Sequence, residues 1–344
     1  MKIVIDSSIP FVKGVFEPYA EVLYRDAARI TREDVADAQA LVIRTRTRCD
    51  AALLEGSAVK IIATATIGTD HIDLPWCEEH GIFVSNASGS NAGGVMNYVF
   101  SALYGAAARK SIPLQGATMG IVGVGSAGSR VEQTARYLGF KVLLYDPIRA
   151  AAEGGGGFVD LDTLLAGSDI VTMHLPLNAA TYHMADAAFF ARMRYGAFFI
   201  NAARGGLVVE DDLVRAIPKL GPVIIDAWEN EPDVNHTLLN LSDVGTPHIA
   251  GYSYQGKLIS TSMVVRAVAR FFGIGDLYEF FPDSDVSGLE AVKLDLRGLS
   301  QGQITSKLQY NYPIFTDDFM FRMNPSGFAD LRANYRYRRE FYTD

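Results

Sequence analysis

Leu114–Pro147 reads LQGATMGIVGVGSAGSRVEQTARYLGFKVLLYDP. The apolar run TMGIV meets a glycine-rich turn, Gly123-Val124-Gly125-Ser126-Ala127-Gly128, which opens an amphipathic stretch and then a second apolar run, KVLLY. Strand, turn, helix and strand within about thirty residues form one βαβ unit. The spacing of the glycines suits a tight turn, a close approach of backbone to a pyrophosphate, and helix packing on the sheet. A helix N-terminus there offers free amides and a positive dipole end to phosphates. Asp146 stands at the end of KVLLY, where a carboxylate accepts hydrogen bonds from both ribose hydroxyls and repels a 2′-phosphate, so the reading favours NAD over NADP. Similar turns serve other adenosine cofactors, S-adenosylmethionine among them, and Arg149 nearby keeps NADP open.

Outward from this stretch the same rhythm continues. Upstream, KIVID, ALVIR, KIIATA and IFVSN alternate with helical or loop segments; downstream, DIVTMHL, GAFFINAA, PVIIDAWE and DVGTPHIA carry the pattern to about residue 250. The apolar segment Gly93–Ala108 is too short for a membrane span and is interrupted by Asn97 and Ser101, so it predicts a buried helix. Another helix is expected from Gln255 to Phe272. The tail from Phe281 is rich in Tyr, Phe and Arg without strand-helix alternation, and predicts a small segment packing on another subunit. The glycine run Gly154–Gly157 reads as a surface loop.

Composition narrows the function. The 344 residues, 49% hydrophobic, can bury a large core split between domains. With 31 basic and 39 acidic residues the net charge is −8, and no basic block offers a nucleic-acid surface. The opening MKIVIDSSIP lacks the apolar region of a signal peptide, so a cytoplasmic protein is expected. Cys49 and Cys77 have no cysteine or histidine at metal-ligand spacing; both read as reduced core residues, and no metal is expected.

Ligands of parallel sheets bind beyond the carboxyl ends of the strands. Three strand ends supply three groups: Arg204 after GAFFINAA, Asp226 and Glu231 along PVIIDAWENEP, and His248 in DVGTPHIA. An arginine fork can hold a carboxylate by paired hydrogen bonds, and a histidine exchanges protons near neutral pH. A glutamate behind that histidine would orient it and favour its protonated ring. If the strands are neighbours, His248 can take a hydroxyl proton as hydride leaves for nicotinamide.

NAARGGLVVEDDL, DAWENEP and TPHIAGYS resemble the signatures of the D-isomer-specific 2-hydroxyacid dehydrogenases. The resemblance implies a Rossmann-type NAD-binding domain, residues 93–252, inserted in a flavodoxin-like substrate domain, residues 1–92 completed by 253–280. It also implies a C-terminal dimerisation domain, 281–344, and therefore a homodimer. Arg204 would bind the substrate carboxylate, Glu231 would support His248, and His248 would be the general acid-base. NAD would be held by Gly123, Gly125, Ser126, Ala127, Gly128 and Asp146, with Leu175, Ala202, Ala203, Asp226 and Gly251. Further stretches, among them ATATIGTDHID, NYVFSALYGAA, HIAGYSYQGK and FADLRANYRYRREF, are similar to family members acting on a 4-phosphorylated sugar acid. There Thr45, Thr66 and Tyr252 would meet the substrate, and Arg44, the best placed arginine of its basic segment, would join them.

The segment Arg44-Thr45-Arg46-Thr47-Arg48 could supply guanidinium and hydroxyl donors to a phosphate. Alternation along an extended chain would send its arginines to one side and its threonines to the other. Asn97 stands where the family usually has Glu, and Leu175 where it often has a hydroxyl residue. Two other readings of the same signatures are a dehydrogenase of another D-2-hydroxy acid, such as 3-phosphoglycerate, and an NAD-sensing binding protein of the corepressor type.

Overall fold

The computed structural model describes residues 1–283 and 287–343. The chain divides into two units: Met1–Asn91 with Tyr254–Gly288, and Ala92–Ser253 with Leu289–Asp344.

Unit one contains five parallel strands: β1 (Lys2–Asp6), β2 (Glu21–Arg25), β3 (Ala40–Ile43), β4 (Ile61–Thr64) and β5 (Phe83–Asn86). Their order is β2-β1-β3-β4-β5, the flavodoxin-like arrangement. β3 and β4 are buried along their whole length, as expected for a parallel sheet covered on both faces. The edge strand β2, EVLYR, escapes the sequence reading because its charged ends are exposed and its middle only half-buried. The helix Tyr254–Phe272 packs Val264, Val265 and Val268 against apolar residues of β1, β3 and β4.

In the second unit, β6 (Thr118–Val122), β7 (Lys141–Tyr145), β8 (Ile170–Met173), β9 (Phe198–Asn201), β10 (Val223–Ile225) and β11 (Val244–Gly245) form a parallel sheet in the order β11-β10-β9-β8-β6-β7. The order reverses between β6 and β8, which is the topological switch point of a doubly wound fold. Register aligns the carboxyl ends: Val122 lies opposite both Tyr145 and Met173, Met173 opposite Asn201, and Asn201 opposite Ile225, which lies opposite Gly245. The loops that follow these residues therefore emerge along one edge. The helix Ala92–Arg109 is buried over most of its length and joins the core cluster with Met119, Ile121 and Val131.

The aromatic C-terminal segment belongs to the second unit. It contains a two-strand ladder, β12 (Val292–Lys293) with β13 (Phe341–Tyr342), and the helices Gln301–Asn311, Ile314–Met323 and Phe328–Ala333. Leu294, Ile304, Leu308 and Tyr312 enter the core around the helix Ala92–Arg109, and Phe321 and Phe328 join the core beneath β8–β10. Asp318 accepts the amide of Gly245 at 2.7 Å, covering part of the sheet edge at β11. Asn97, the departure from the family pattern, pairs by its amide with the backbone of Phe341, donating to its carbonyl at 2.8 Å and accepting from its N–H at 2.9 Å. Glutamate could not both donate and accept in this way when ionised.

Cys49 and Cys77 are free and buried, with burial pushing both thiols up, Cys49 to about 12. Gly154 closes a helix in the left-handed conformation, and Gly155–Gly157 are exposed. Among the described residues no helix is long and apolar enough to cross a membrane.

Candidate active site

The turn after β6 divides the work of its glycines. Gly123 has φ +90°, which glycine adopts without steric cost, and a Cβ there would lie 2.9 Å from the carbonyl carbon of His174. A Cβ on Gly128 would stand 2.1 Å from the Gly123 oxygen, so the third glycine lets helix and turn touch. At Gly125 nothing lies within 4 Å of that position, and the residue is exposed. The helix Ser126–Tyr137 starts there with no side chain capping it. Its first amides are therefore available to an anion. Asp146 accepts the amides of Val124 at 2.9 Å and Arg149 at 3.0 Å, tying the turn to the end of β7. A carboxylate has about four acceptor positions, so capacity for ribose hydroxyls remains. The Arg149 guanidinium is engaged by Glu153 and by the Val124 carbonyl, so the protein's own groups occupy it. Leu175 packs over Gly123. These features fit a dinucleotide pyrophosphate.

On the other half of the sheet edge, His248 and Glu231 meet. The ring Nδ1 lies 2.8 Å from both carboxylate oxygens of Glu231, and both side chains are about one-fifth exposed. Nδ1–H donates to the carboxylate, which leaves Nε2 as the acceptor of the neutral ring. Burial works to raise the Glu231 pKa, but the His248 ring, the Trp228 amide and the Arg332 guanidinium outweigh it and hold the carboxyl below its usual range. Glu231 precedes Pro232 through a cis peptide bond, and His248 has φ +54°. Non-glycine residues in the left-handed region cost about 1–3 kcal/mol and persist where their surroundings over-determine them.

Arg204 follows β9 by three residues and is half-buried; its Nη1 donates to the carbonyl of Ala203 at 2.8 Å, and Asn201 donates to its carbonyl at 2.9 Å. Ala202 is buried and Ala203 half-buried, its amide donating to Asn201. Gly205 lets the chain pass against the loop after β10: a Cβ would fall 1.9 Å from the carbonyl carbon of Trp228. Asp226 is fully buried and accepts from the Thr246 hydroxyl at 2.6 Å, the Ile249 amide at 2.8 Å and the Ala250 amide at 2.8 Å. Its location is that of an anchor for the loop carrying His248, and burial raises its pKa despite those donors and the His248 ring. Gly251 and Tyr252 are half-buried in the same loop, with the Tyr252 ring 5.9 Å from Tyr335.

Arg44, Thr45 and Thr66 lie in the first unit, at the ends of the neighbouring strands β3 and β4. Arg44 is half-buried and reaches the Ser8 hydroxyl at 3.5 Å, while Thr45 is exposed. Thr66 pairs with Thr64 at 2.7 Å and is half-buried. The expected alternation fails because the chain turns after Ile43. Thr47 is buried, donating to the carbonyl of Ala27, whereas Arg46 and Arg48 are exposed and Arg48 pairs with Asp50.

Several residues around the pair have no signal in the sequence. Tyr98, from the helix Ala92–Arg109, is 2.7 Å from the Thr246 hydroxyl that serves Asp226. Arg332 approaches Glu231 at 3.9 Å, and Arg338 lies against the loop after His248. They come from distant segments; the aromatic and basic composition of the tail hints only at Arg332 and Arg338.

Residues 99–250 match the pattern of the D-isomer specific 2-hydroxyacid dehydrogenase NAD binding domain. The chain is 40% identical over 347 residues to the erythronate-4-phosphate dehydrogenase of Bacteroides fragilis, an alignment spanning 99% of this chain and 97% of that protein. It is 38% identical to the Escherichia coli O157:H7 protein of the same name over 99% of this chain and 92% of that one. Among solved structures it resembles NAD+-bound 3-phosphoglycerate dehydrogenase of Entamoeba histolytica, with TM-score 0.70 and 25% identity over 81% of this chain and 97% of that one. With its NAD-binding domain and near full-length likeness, the chain belongs to the erythronate-4-phosphate dehydrogenase family, among the D-isomer specific 2-hydroxyacid dehydrogenases.

Proposed function

We propose that this protein oxidises 4-phospho-D-erythronate at C2 to 2-oxo-3-hydroxy-4-phosphobutanoate, a step on the route to pyridoxal 5′-phosphate, with NAD as oxidant. The carrying observation is the His248–Glu231 pair, with Nδ1 2.8 Å from both carboxylate oxygens. NAD, when bound, accepts the hydride from C2. The turn Gly123–Gly128 and the uncapped amides after Gly125 would hold its pyrophosphate, and Asp146 its adenosine ribose. Leu175, Ala202, Ala203, Asp226 and Gly251 complete the assigned cofactor set. Of these, Asp226 acts by fixing the loop of Gly251, since its oxygens serve protein donors.

His248 Nε2 takes the C2 hydroxyl proton, and Glu231 steadies the imidazolium that results. Arg204 binds the carboxylate and polarises the developing carbonyl. Arg44, Thr45, Thr66 and Tyr252 are assigned to the remaining substrate groups, with Arg44 at the phosphate. The relatives favour neither oxidation of another acid such as 3-phosphoglycerate nor a purely NAD-sensing role.

We assign the protein to the cytoplasm, in keeping with an opening segment that lacks a signal peptide's apolar region. We assign it a homodimer formed through the exposed Phe319, Met320 and Met323 of the helix Ile314–Met323, with Tyr310 of the preceding helix. The test of activity is nicotinamide absorbance with NAD and 4-phospho-D-erythronate, with 3-phosphoglycerate as competitor and a 2-oxo acid in parallel. Wild-type protein should reduce NAD with the first acid, and His248→Ala should abolish turnover while still binding NADH. Unchanged turnover in the variant would refute the role of His248, and silence with every acid despite NADH binding would refute the dehydrogenase reading.

A further inference from the structure

The two residues that follow His248, Ile249 and Ala250, are held from both sides by charged groups, the buried Asp226 and the half-buried Arg338. Asp226 takes the amides of Ile249 and Ala250, each at 2.8 Å. The Arg338 guanidinium takes the carbonyls: Nη1 lies 3.1 Å from Ile249 O and 2.9 Å from Tyr252 O, and Nη2 bonds Ala250 O and lies 3.2 Å from Gly94 O. The guanidinium is also 3.9 Å from the centre of the Tyr312 ring, and Nη1 is 3.1 Å from the Tyr335 hydroxyl, which donates to Asp317 at 2.8 Å. Two residues beyond Arg338, Glu340 receives the Ser253 hydroxyl at 2.5 Å, and Ser253 bridges Arg338 along the backbone.

We propose that Arg338, from the C-terminal segment, is a positioning residue for His248, forming with Asp226 a two-sided clamp on residues 248–252. His248 sits in the left-handed backbone region, which side chains other than glycine occupy only when their surroundings hold them there. Asp226 reaches the loop from the end of its own neighbouring strand, but within residues 248–252 it constrains only N–H groups. A planar fork with several donors can bind multiple carbonyls at once, which an ammonium group cannot reproduce in the same geometry. The C-terminal segment thereby acts on the acid-base residue of its own chain, in addition to any part it has in assembly. This inference rests on the reading of His248 as the proton acceptor.

The test compares wild type with Arg338→Lys, which keeps the charge and loses the fork, and with Arg338→Gly, which leaves space for added guanidinium. Three quantities are measured: kcat, the NADH dissociation constant, and amide hydrogen exchange at Ile249–Tyr252. In Arg338→Lys, kcat should fall about 100-fold, as a displaced catalytic group requires. NADH affinity should stay within about twofold, since the glycine turn is untouched, and exchange at Ile249–Tyr252 should speed up. Millimolar guanidinium should restore part of kcat to Arg338→Gly and leave wild type unchanged. Wild-type kcat and unchanged exchange in Arg338→Lys would overturn the clamp. If Arg338→Gly does not fold, Arg338→Lys decides. If wild type has no turnover, the activity reading has failed, and hydrogen exchange alone decides whether Arg338 holds the loop.

Discussion

At the scale of single residues, three glycines separate folding from binding. Gly128 and Gly205 are fixed by contact, since a Cβ would lie 2.1 Å from the Gly123 oxygen in one case and 1.9 Å from the Trp228 carbonyl carbon in the other. Gly125 is fixed by nothing the protein itself supplies, because its Cβ position is open. Gly128→Ala and Gly205→Ala should each lower the unfolding free energy by about 1–3 kcal/mol or more, as overpacking does. Gly125→Ala should change stability by less than about 0.5 kcal/mol and weaken NADH about tenfold, or about 1.4 kcal/mol, by filling the space a pyrophosphate needs. Urea denaturation and NADH fluorescence titration check the two effects separately. Equal stability loss at all three positions would remove the distinction. This division is half legible in the sequence: GxGxxG between strand and helix announces the turn, whereas Arg204-Gly205 gives no sign that its glycine is required by Trp228.

At the scale of elements, the pairing of the helix Ala92–Arg109 with β13 turns on one amide. Asn97 is fully buried and makes two hydrogen bonds to Phe341, acting as one more rung beside the short ladder β12–β13. Asn97→Asp keeps shape and acceptor but loses the donor, setting a carboxylate against the Phe341 carbonyl. The cost should be at least about 2 kcal/mol, because an unsatisfied buried partner costs about 1–3 kcal/mol and a charge more. The urea midpoint measures it, and a midpoint equal to wild type would show that the pairing contributes nothing. The helices Gln301–Asn311 and Ile314–Met323 leave little mark in the sequence for a related reason. Each buries only two or three residues, Ile304 and Leu308 in one and Ile314, Asp318 and Phe321 in the other, so no clear apolar stripe marks them.

For the whole molecule, the chain enters the second unit at Ala92, leaves it after Ser253, and returns at Leu289. The returning segment buries one side in the core of that unit and leaves Tyr310, Phe319, Met320 and Met323 half or more exposed. Phe319, Met320 and Met323, three and four residues apart, share one face of their helix, and such an exposed apolar face suits a self-complementary contact. Sedimentation velocity should give a dimer for wild type and a monomer for Phe319→Lys/Met323→Lys. A wild-type monomer, or a double variant that remains dimeric, would refute this interface.

Local sequence by itself determined the parallel α/β character of both sheets (apart from the edge strand β2), the glycine turn and the candidate groups at the strand ends, because hydrophobic runs, glycine spacing and turn chemistry are short-range signals. The meeting of Glu231 with His248, seventeen residues apart, could be anticipated only on condition that their strands were neighbours; β10 and β11 are. Tertiary structure alone decided that Asp226 faces inward to the loop amides, that Thr47 is buried beside exposed arginines, and that Arg338 takes the loop carbonyls. Those outcomes depend on hydrogen-bond partners from 20 residues away, for Thr47 and Ala27, to 244, for Arg338 and Gly94. No periodicity in a local window encodes which distant carbonyl a guanidinium will satisfy, since that choice is made by packing after the elements have formed.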